Sequence, residues 1–350
     1  MHISENAVQN QGDSNELNIW YDKGPLCSYN ALFSFALGAR GTGKTYAFKT
    51  WALKSNNPFI WIRRVQEDID NLLKDNATEF TKDLYLNGWL GPDDEIKISG
   101  NNMYINGILK FYFIPLSLSR RSKSHSYADV NIMVYDEVFE GIGNKKYLKD
   151  EVELFLDLYE TVNRLRLDGR PEVRAFFLSN NVSFTNPYFA TWGIEPFEGR
   201  IKTFLDGLIV VEQYKNEEFA KLKRQTKFGK LVGGTKYGDY AIENEIWLDD
   251  NAYLAERPPK SLAIAEIHYK EQYIGVWNGH DGYIYCAMGR APAPMTFGIK
   301  YACLEGEFAL TLGSYPLKQL KKIFEHGKLR FDSNITKSIM HTLLQTAGQS

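Results

Sequence analysis

Residues Gly38-Ala39-Arg40-Gly41-Thr42-Gly43-Lys44-Thr45 fit G-x-x-x-x-G-K-[ST] at every position. The pattern suits a phosphate. Glycines let successive backbone N–H groups curl round the anion, the lysine reaches the β- and γ-phosphates, and the threonine hydroxyl ligates Mg²⁺. Tyr46 follows directly and is counted with the loop as an ATP-binding position. The apolar run Ala31–Leu37 precedes the motif, and a helical stretch from Lys44 to about Lys54 follows it. That strand–loop–helix order is what phosphate binding requires.

A second, independent motif is acidic. The apolar run Ile132–Tyr135 leads into Asp136 and Glu137, as at the end of a Walker B strand. Asp136 is expected to hold Mg²⁺ through water, and Glu137 to polarise the attacking water. Such a pair favours a hydrolase over transfer to a bound small molecule. The run Val173–Leu178 ends in Ser179-Asn180, where Asn180 is the candidate sensor of the γ-phosphate, although Ser-Asn-Asn is also ordinary turn chemistry. Hydrolysis assisted in trans needs a cation. Arg164, Arg166 and Arg170 lie just before that run, with Arg164 favoured and a solvated helix end as the alternative. Lys44, Glu137 and Arg164 are thus the candidate catalytic residues.

The elements around these residues read as an α/β fold. Pro58–Ile62 is a further buried strand, and residues 65–87 and 147–168 have helical spacing. Asn106-Gly107 between Ile105 and Ile108 marks a hairpin. Alternating strands and helices indicate a parallel sheet covered on both faces. After about residue 200 the pattern changes to short strands at Leu262–Tyr269, Tyr273–Trp277 and Tyr283–Ala287, then helices over 316–326 and 334–346. The expected division is 1–200 for the nucleotide-binding domain, 201–242 for a linker or lid, and 243–350 for a second, smaller α+β domain.

Charge is balanced overall but uneven locally. The 350 residues carry 41 basic and 43 acidic side chains, which excludes a uniformly basic nucleic-acid coat. Two acid-free basic stretches stand out, Ser117–Ser126 and residues 221–236. Arg120, Arg121, Lys123, Lys221, Lys223, Arg224, Lys227 and Lys230 are therefore candidate phosphate contacts to a nucleic acid. A mobile loop and a plain linker remain the alternatives. Hydrophobic residues at 44% and charged residues at 24% fit a globular chain. Cys27, Cys286 and Cys303 are widely spaced, so a reducing compartment is expected rather than a disulfide framework. Neither a signal peptide nor a transmembrane helix is expected.

The ordered set resembles the DNA-packaging ATPases of small podophages, the prohead-RNA-dependent terminase-type motors of protein-primed phages. The resemblance rests on Ala39–Thr45, Ile62-Arg63-Arg64, the Asp136–Glu137 strand end, and Leu178-Ser179-Asn180 with Asn186-Pro187-Tyr188-Phe189. It extends through Lys227-Phe228-Gly229-Lys230-Leu231, Gly234–Gly238 and Gly275-Val276-Trp277, covering roughly residues 25–340. It implies an additional-strand (ASCE) P-loop ATPase using ATP and Mg²⁺. Such a motor works as a pentameric ring on the portal of a procapsid in the host cytoplasm, with double-stranded DNA and prohead RNA as partners. By the same resemblance Arg164 matches a trans-acting arginine and Lys123 a loop lysine acting between subunits. The second domain resembles an RNase H-like nuclease without its metal-binding acids, since Glu266 is the only acid in Leu262–Tyr269. The alternatives are a helicase-loader-like P-loop ATPase of phage replication and a terminase whose nuclease is active.

Overall fold

Apolar runs too short for helices and lacking alternation fold as strands buried on both faces. The computed structural model describes residues 19–124, 126–139, 147–164, 166, 169–180, 183–242, 253–299, 304–310 and 315–346. Cys303 and residues 243–252, where the second domain was expected to begin, lie outside them. In chain order the first unit comprises α1 (Gly24–Ser28), β1 (Phe33–Gly38), α2 (Lys44–Lys54), β2 (Phe59–Arg63), α3 (Gln66–Leu86), β3 (Ile96–Ser99), β4 (Asn102–Ile105) and β5 (Ile108–Pro115). A 3₁₀ segment (Leu116–Ser124) leads to β6 (Ile132–Asp136), α4 (Glu151–Asn163), β7 (Arg174–Asn180), α5 (Pro187–Trp192), β8 (Ile201–Phe204) and β9 (Ile209–Tyr214).

These nine strands form one sheet in the order β3-β4-β5-β2-β6-β7-β1-β9-β8. The six strands from β5 to β9 pair in parallel, and antiparallel neighbours finish both edges. β7 separates the phosphate-loop strand β1 from the acidic strand β6, which is the additional strand that an ASCE fold requires. Every residue of β1 and β6 is buried. On one face Phe35 stacks on Phe177 at 4.3 Å between centroids, within a cluster that includes Tyr135, Phe155 and Tyr188. On the other, Phe48, Trp61, Phe80 and Phe113 pack together. The Asn106-Gly107 hairpin forms as expected, both residues having positive φ.

Three elements differ from the sequence expectation. The helix over 65–87 is broken, because Asp75, Asn76 and Ala77 are left-handed and the Asn76 amide donates to the Ile96 carbonyl at 2.7 Å. The helix over 147–168 is shorter, since the Asn163 side chain accepts from the Val173 amide at 2.8 Å and ties its end to β7. Residues 201–214, expected in the linker, belong to the first sheet, where β9 lies beside β1.

The basic stretch that follows, expected as a linker or lid, is helical: α6 (Glu217–Gln225), α7 (Lys227–Val232) and α8 (Lys236–Ala241). Asn216, Thr226 and Thr235 cap the three helices with their side chains. Gly229 permits this tight stack, because a Cβ there would lie 2.0 Å from the Lys223 carbonyl oxygen.

The second unit comprises β10 (Leu262–Tyr269), β11 (Gln272–Asn278), β12 (Ile284–Met288), β13 (Thr296–Ile299), β14 (Phe308–Leu310), α9 (Tyr315–Glu325), β15 (Leu329–Phe331) and α10 (Asn334–Thr346). The expected meander β10-β11-β12 is antiparallel, and β13, β14 and β15 add in parallel to give β14-β13-β10-β11-β12-β15. An antiparallel meander whose first strand carries two further parallel strands is a topology of the RNase H-like kind. Its core gathers Ile267, Val276, Cys286, Phe331 and Met340, and takes in Ala190 of α5, against which α10 packs. Among the described residues no helix is long and apolar enough to cross a membrane.

Candidate nucleotide site

Parallel registry brings the sequence-predicted residues to one edge of the sheet. Gly38 at the end of β1 stands opposite Asn180 at the end of β7, and Leu178 of β7 stands opposite Asp136 at the end of β6. The sensor candidate therefore ends a strand that lies between the phosphate-loop strand and the acidic strand.

The loop itself is closed on its own carbonyls. Gly43 caps α2 with φ of 91°, a conformation that side chains disfavour. The Lys44 ammonium donates to the carbonyls of Gly38 at 2.8 Å and Ala39 at 2.9 Å. Burial pulls the Lys44 pKa down to about 7, with the Asp136 charge opposing. The Thr42 hydroxyl holds the Ala39 carbonyl at 3.0 Å. Thr45 donates to the Asp136 carboxylate at 3.2 Å, so the two residues that would hold Mg²⁺ already meet. A hydroxyl and a buried carboxylate beside a phosphate loop are the hard oxygen donors that Mg²⁺ prefers. Burial raises the Asp136 pKa, while the Arg63 guanidinium lowers it. Glu137 follows in a left-handed turn with φ of 56° and is well exposed.

Sequence reasoning gave Arg63 no role. Its guanidinium bridges Asp136, at 3.1 Å, and Glu137, joining the two acids. The available signal was a basic residue directly after a buried strand, but its contact depends on β2 lying beside β6. Two other supports were also unread. The Tyr21 amide donates to the Thr42 carbonyl at 2.8 Å, while its hydroxyl is anchored at 2.8 Å on Glu212, a fully buried acid of β9. Trp20 and Phe219 flank Gly43 and Gly41, and Lys223 donates to the Arg40 carbonyl at 3.2 Å. Lys223, read as a nucleic-acid contact, is thus turned onto the phosphate loop. A small cavity between the loop and α6 is lined by Ala39, Thr42, Tyr214, Asn216 and Phe219.

The arginine candidates separate clearly. Arg166 donates to the Asn131 side chain and to the carbonyls of Val130 and Pro171, and Arg170 to that of Ala128, at the opposite end of the sheet from the loop. Arg164 is exposed at the C-terminal end of α4, about 20 Å from Glu151 by helical rise, and so lies away from its own site. Lys221, Arg224, Lys227 and Lys230 are exposed on α6 and α7, as is Arg120 on the 3₁₀ segment. The side chains of Arg121 and Lys123 lie outside the described residues.

In the second unit Glu266 is buried. Its carboxylate accepts from the Ala291 amide at 2.5 Å and the Thr296 hydroxyl at 3.3 Å, and pairs with Arg290 at 3.3 Å.

Comparison with known proteins agrees with this geometry. The family model of the podovirus DNA encapsidation protein (Gp16) matches residues 16–348. The DNA packaging protein of Bacillus phage phi29 is 30% identical over 341 residues, covering 94% of this chain and 98% of the relative. The solved bacteriophage Phi-29 viral genome packaging motor assembly superposes with a TM-score of 0.65 at 29% identity, over 94% of this chain and 99% of that one. The Phi-28 gp11 DNA packaging motor gives 0.70 at 21% identity over 94% and 98%, a shared fold.

Proposed function

This chain belongs to the podovirus DNA encapsidation protein (Gp16) family, a phi29-type DNA packaging protein, and on that premise we propose that it hydrolyses ATP to drive double-stranded DNA into a procapsid. The observation that carries the proposal is the convergence of Lys44, Thr45, Asp136, Glu137 and Asn180 at one sheet edge.

The residues divide the work. The loop amides and the Lys44 ammonium bind the phosphates, with Lys44 leaving the carbonyls of Gly38 and Ala39 to do so. Thr45 and Asp136 would hold Mg²⁺, which would supply neutralisation of the charge that gathers on the phosphates. Glu137 accepts the proton of the attacking water, and Asn180, beside the loop, orients that water against the γ-phosphate. For the Glu137 carboxylate to act as base, its contact with Arg63 must loosen.

Arg164 serves the site of a neighbouring subunit, because it lies at the far end of α4 from its own. That arrangement requires a neighbouring copy of the chain, and the similarity to an assembled packaging motor supports a multimer. Within the proposal that multimer is a pentameric ring on the portal, working in the host cytoplasm with prohead RNA as a further partner. The helices α6–α8 act as a lid, Lys223 linking them to the loop. The second unit is a vestigial nuclease of the RNase H-like kind. Glu266 spends its oxygens on Arg290, Ala291 and Thr296, which supports a structural role. The division proposed is therefore a nucleotide-binding unit through β9, the lid, and the second unit. Measuring DNA-stimulated phosphate release by the purified protein, alongside plasmid integrity in Mn²⁺, tests both halves of this reading. Absent turnover overturns the first, and cleavage overturns the second.

A further inference from the structure

Glu137 occupies a backbone conformation that a non-glycine residue holds only under constraint from its surroundings. The constraint acts on the next residue. The Val138 amide donates to the Leu178 carbonyl at 3.1 Å, and the Val138 carbonyl accepts from the Arg64 guanidinium at 2.6 Å. The turn that presents the carboxylate is thus clamped from both sides, once by β7 and once by Arg64.

Arg64 is itself fixed. It is buried, and its Nε and terminal nitrogen donate to the two oxygens of Glu151 at 2.8 and 3.0 Å. Glu151 is buried at the first turn of α4 and accepts further bonds from the hydroxyls of Tyr135 at 3.0 Å and Tyr188 at 3.2 Å and from the Leu148 amide at 2.8 Å. A buried ion pair is a poor source of stability compared with apolar packing of the same volume, and its best-attested use is to specify one geometry. Here that geometry is the position of the Val138 carbonyl.

We propose that Arg64, locked by Glu151, is a positioning residue for hydrolysis: it sets the turn that carries Glu137 without itself touching nucleotide. The proposal rests on Glu137 being the base.

Two substitutions test it against Glu137→Gln. Arg64→Lys keeps the charge but loses the planar fork that reaches Glu151 and Val138 together. Glu151→Gln keeps the shape and weakens the anchor. Each should lower kcat by roughly ten- to a hundredfold, the scale of a misplaced catalytic group. The Kd for a fluorescent ATP analogue should stay within about twofold of the parent, because loss of an interaction made only in the transition state spares binding. Combined with Glu137→Gln, each should cause no further loss, as expected of residues acting through one group. Equal losses with and without Glu137, a Kd that rises in step with the fall in kcat, or normal kcat would each overturn the proposal. If Arg64→Lys unfolds by circular dichroism, Glu151→Gln decides by the same comparisons. If neither variant folds, the pair serves stability and the proposal fails. Unchanged turnover in Glu137→Gln alone would instead remove the base assignment on which it rests.

Discussion

The Lys44 ammonium rests 2.8 Å from the Gly38 carbonyl, folded onto the loop whose phosphate it is placed to hold. Burial has lowered its pKa to about 7. A bound triphosphate supplies the missing counter-charge and raises that value again. Binding therefore takes up a proton where the pH lies between the free value and the raised bound value, and across that window affinity falls as pH rises above about 7. Below that the lysine is already charged and this dependence disappears. Calorimetric titration with ATP at about pH 8 in buffers of different ionisation enthalpy should register the uptake. Lys44→Ala should lose both binding and turnover. Normal turnover in that variant would withdraw the phosphate-loop assignment.

Glu137→Gln preserves shape while removing the base. Nucleotide binding should persist, and turnover should fall by about 10²-fold or more, as for other lost general bases. Steady-state phosphate release paired with a binding titration separates the two. Asp136→Asn should differ by weakening Mg²⁺-dependent binding as well, because that carboxylate meets Thr45.

Arg164 points to assembly. An Arg164→Ala subunit keeps an intact pocket, and a Lys44→Ala subunit keeps an intact arginine. Mixing the two inactive proteins should restore part of the hydrolysis, since randomly mixed assemblies contain some productive interfaces. Absence of rescue at every mixing ratio would place Arg164 in cis or in a structural role.

Grip on DNA should be sequence-independent and therefore electrostatic. Neutralising the exposed Lys221, Arg224, Lys227 and Lys230, or separately Arg120, Arg121 and Lys123, should reduce the salt slope of DNA binding by about one unit for each DNA phosphate that is no longer neutralised. Basal ATP turnover should survive both changes. A slope unaltered in both variants would locate the DNA channel elsewhere.

Local forms that follow from backbone chemistry were legible in the chain. Gly38–Thr45, the Asp136–Glu137 strand end and the Asn106-Gly107 hairpin each depend on a few consecutive residues, and each has its expected local form. Residues whose roles depend on neighbouring strands were not. Arg63 meets Asp136 only because β2 pairs with β6, and Glu151 reaches Arg64 across 87 positions. The edge of the first sheet was set too early for the same reason. Composition shifts near residue 200, but β9 returns to lie beside β1 and β8 forms the edge beyond it. The break in α3 was hidden because Asp75 and Asn76 have polar side chains that suit either an exposed helix or a left-handed turn.

The most direct measurement is encapsidation itself. Purified procapsids are mixed with double-stranded DNA, ATP and the protein, and the DNA that survives nuclease treatment is quantified. Wild-type protein should protect DNA only when ATP is supplied, and Glu137→Gln should protect none while still binding nucleotide. Protection that is equal without ATP, or that Glu137→Gln supports as well as wild type, would contradict a motor driven by hydrolysis at this site.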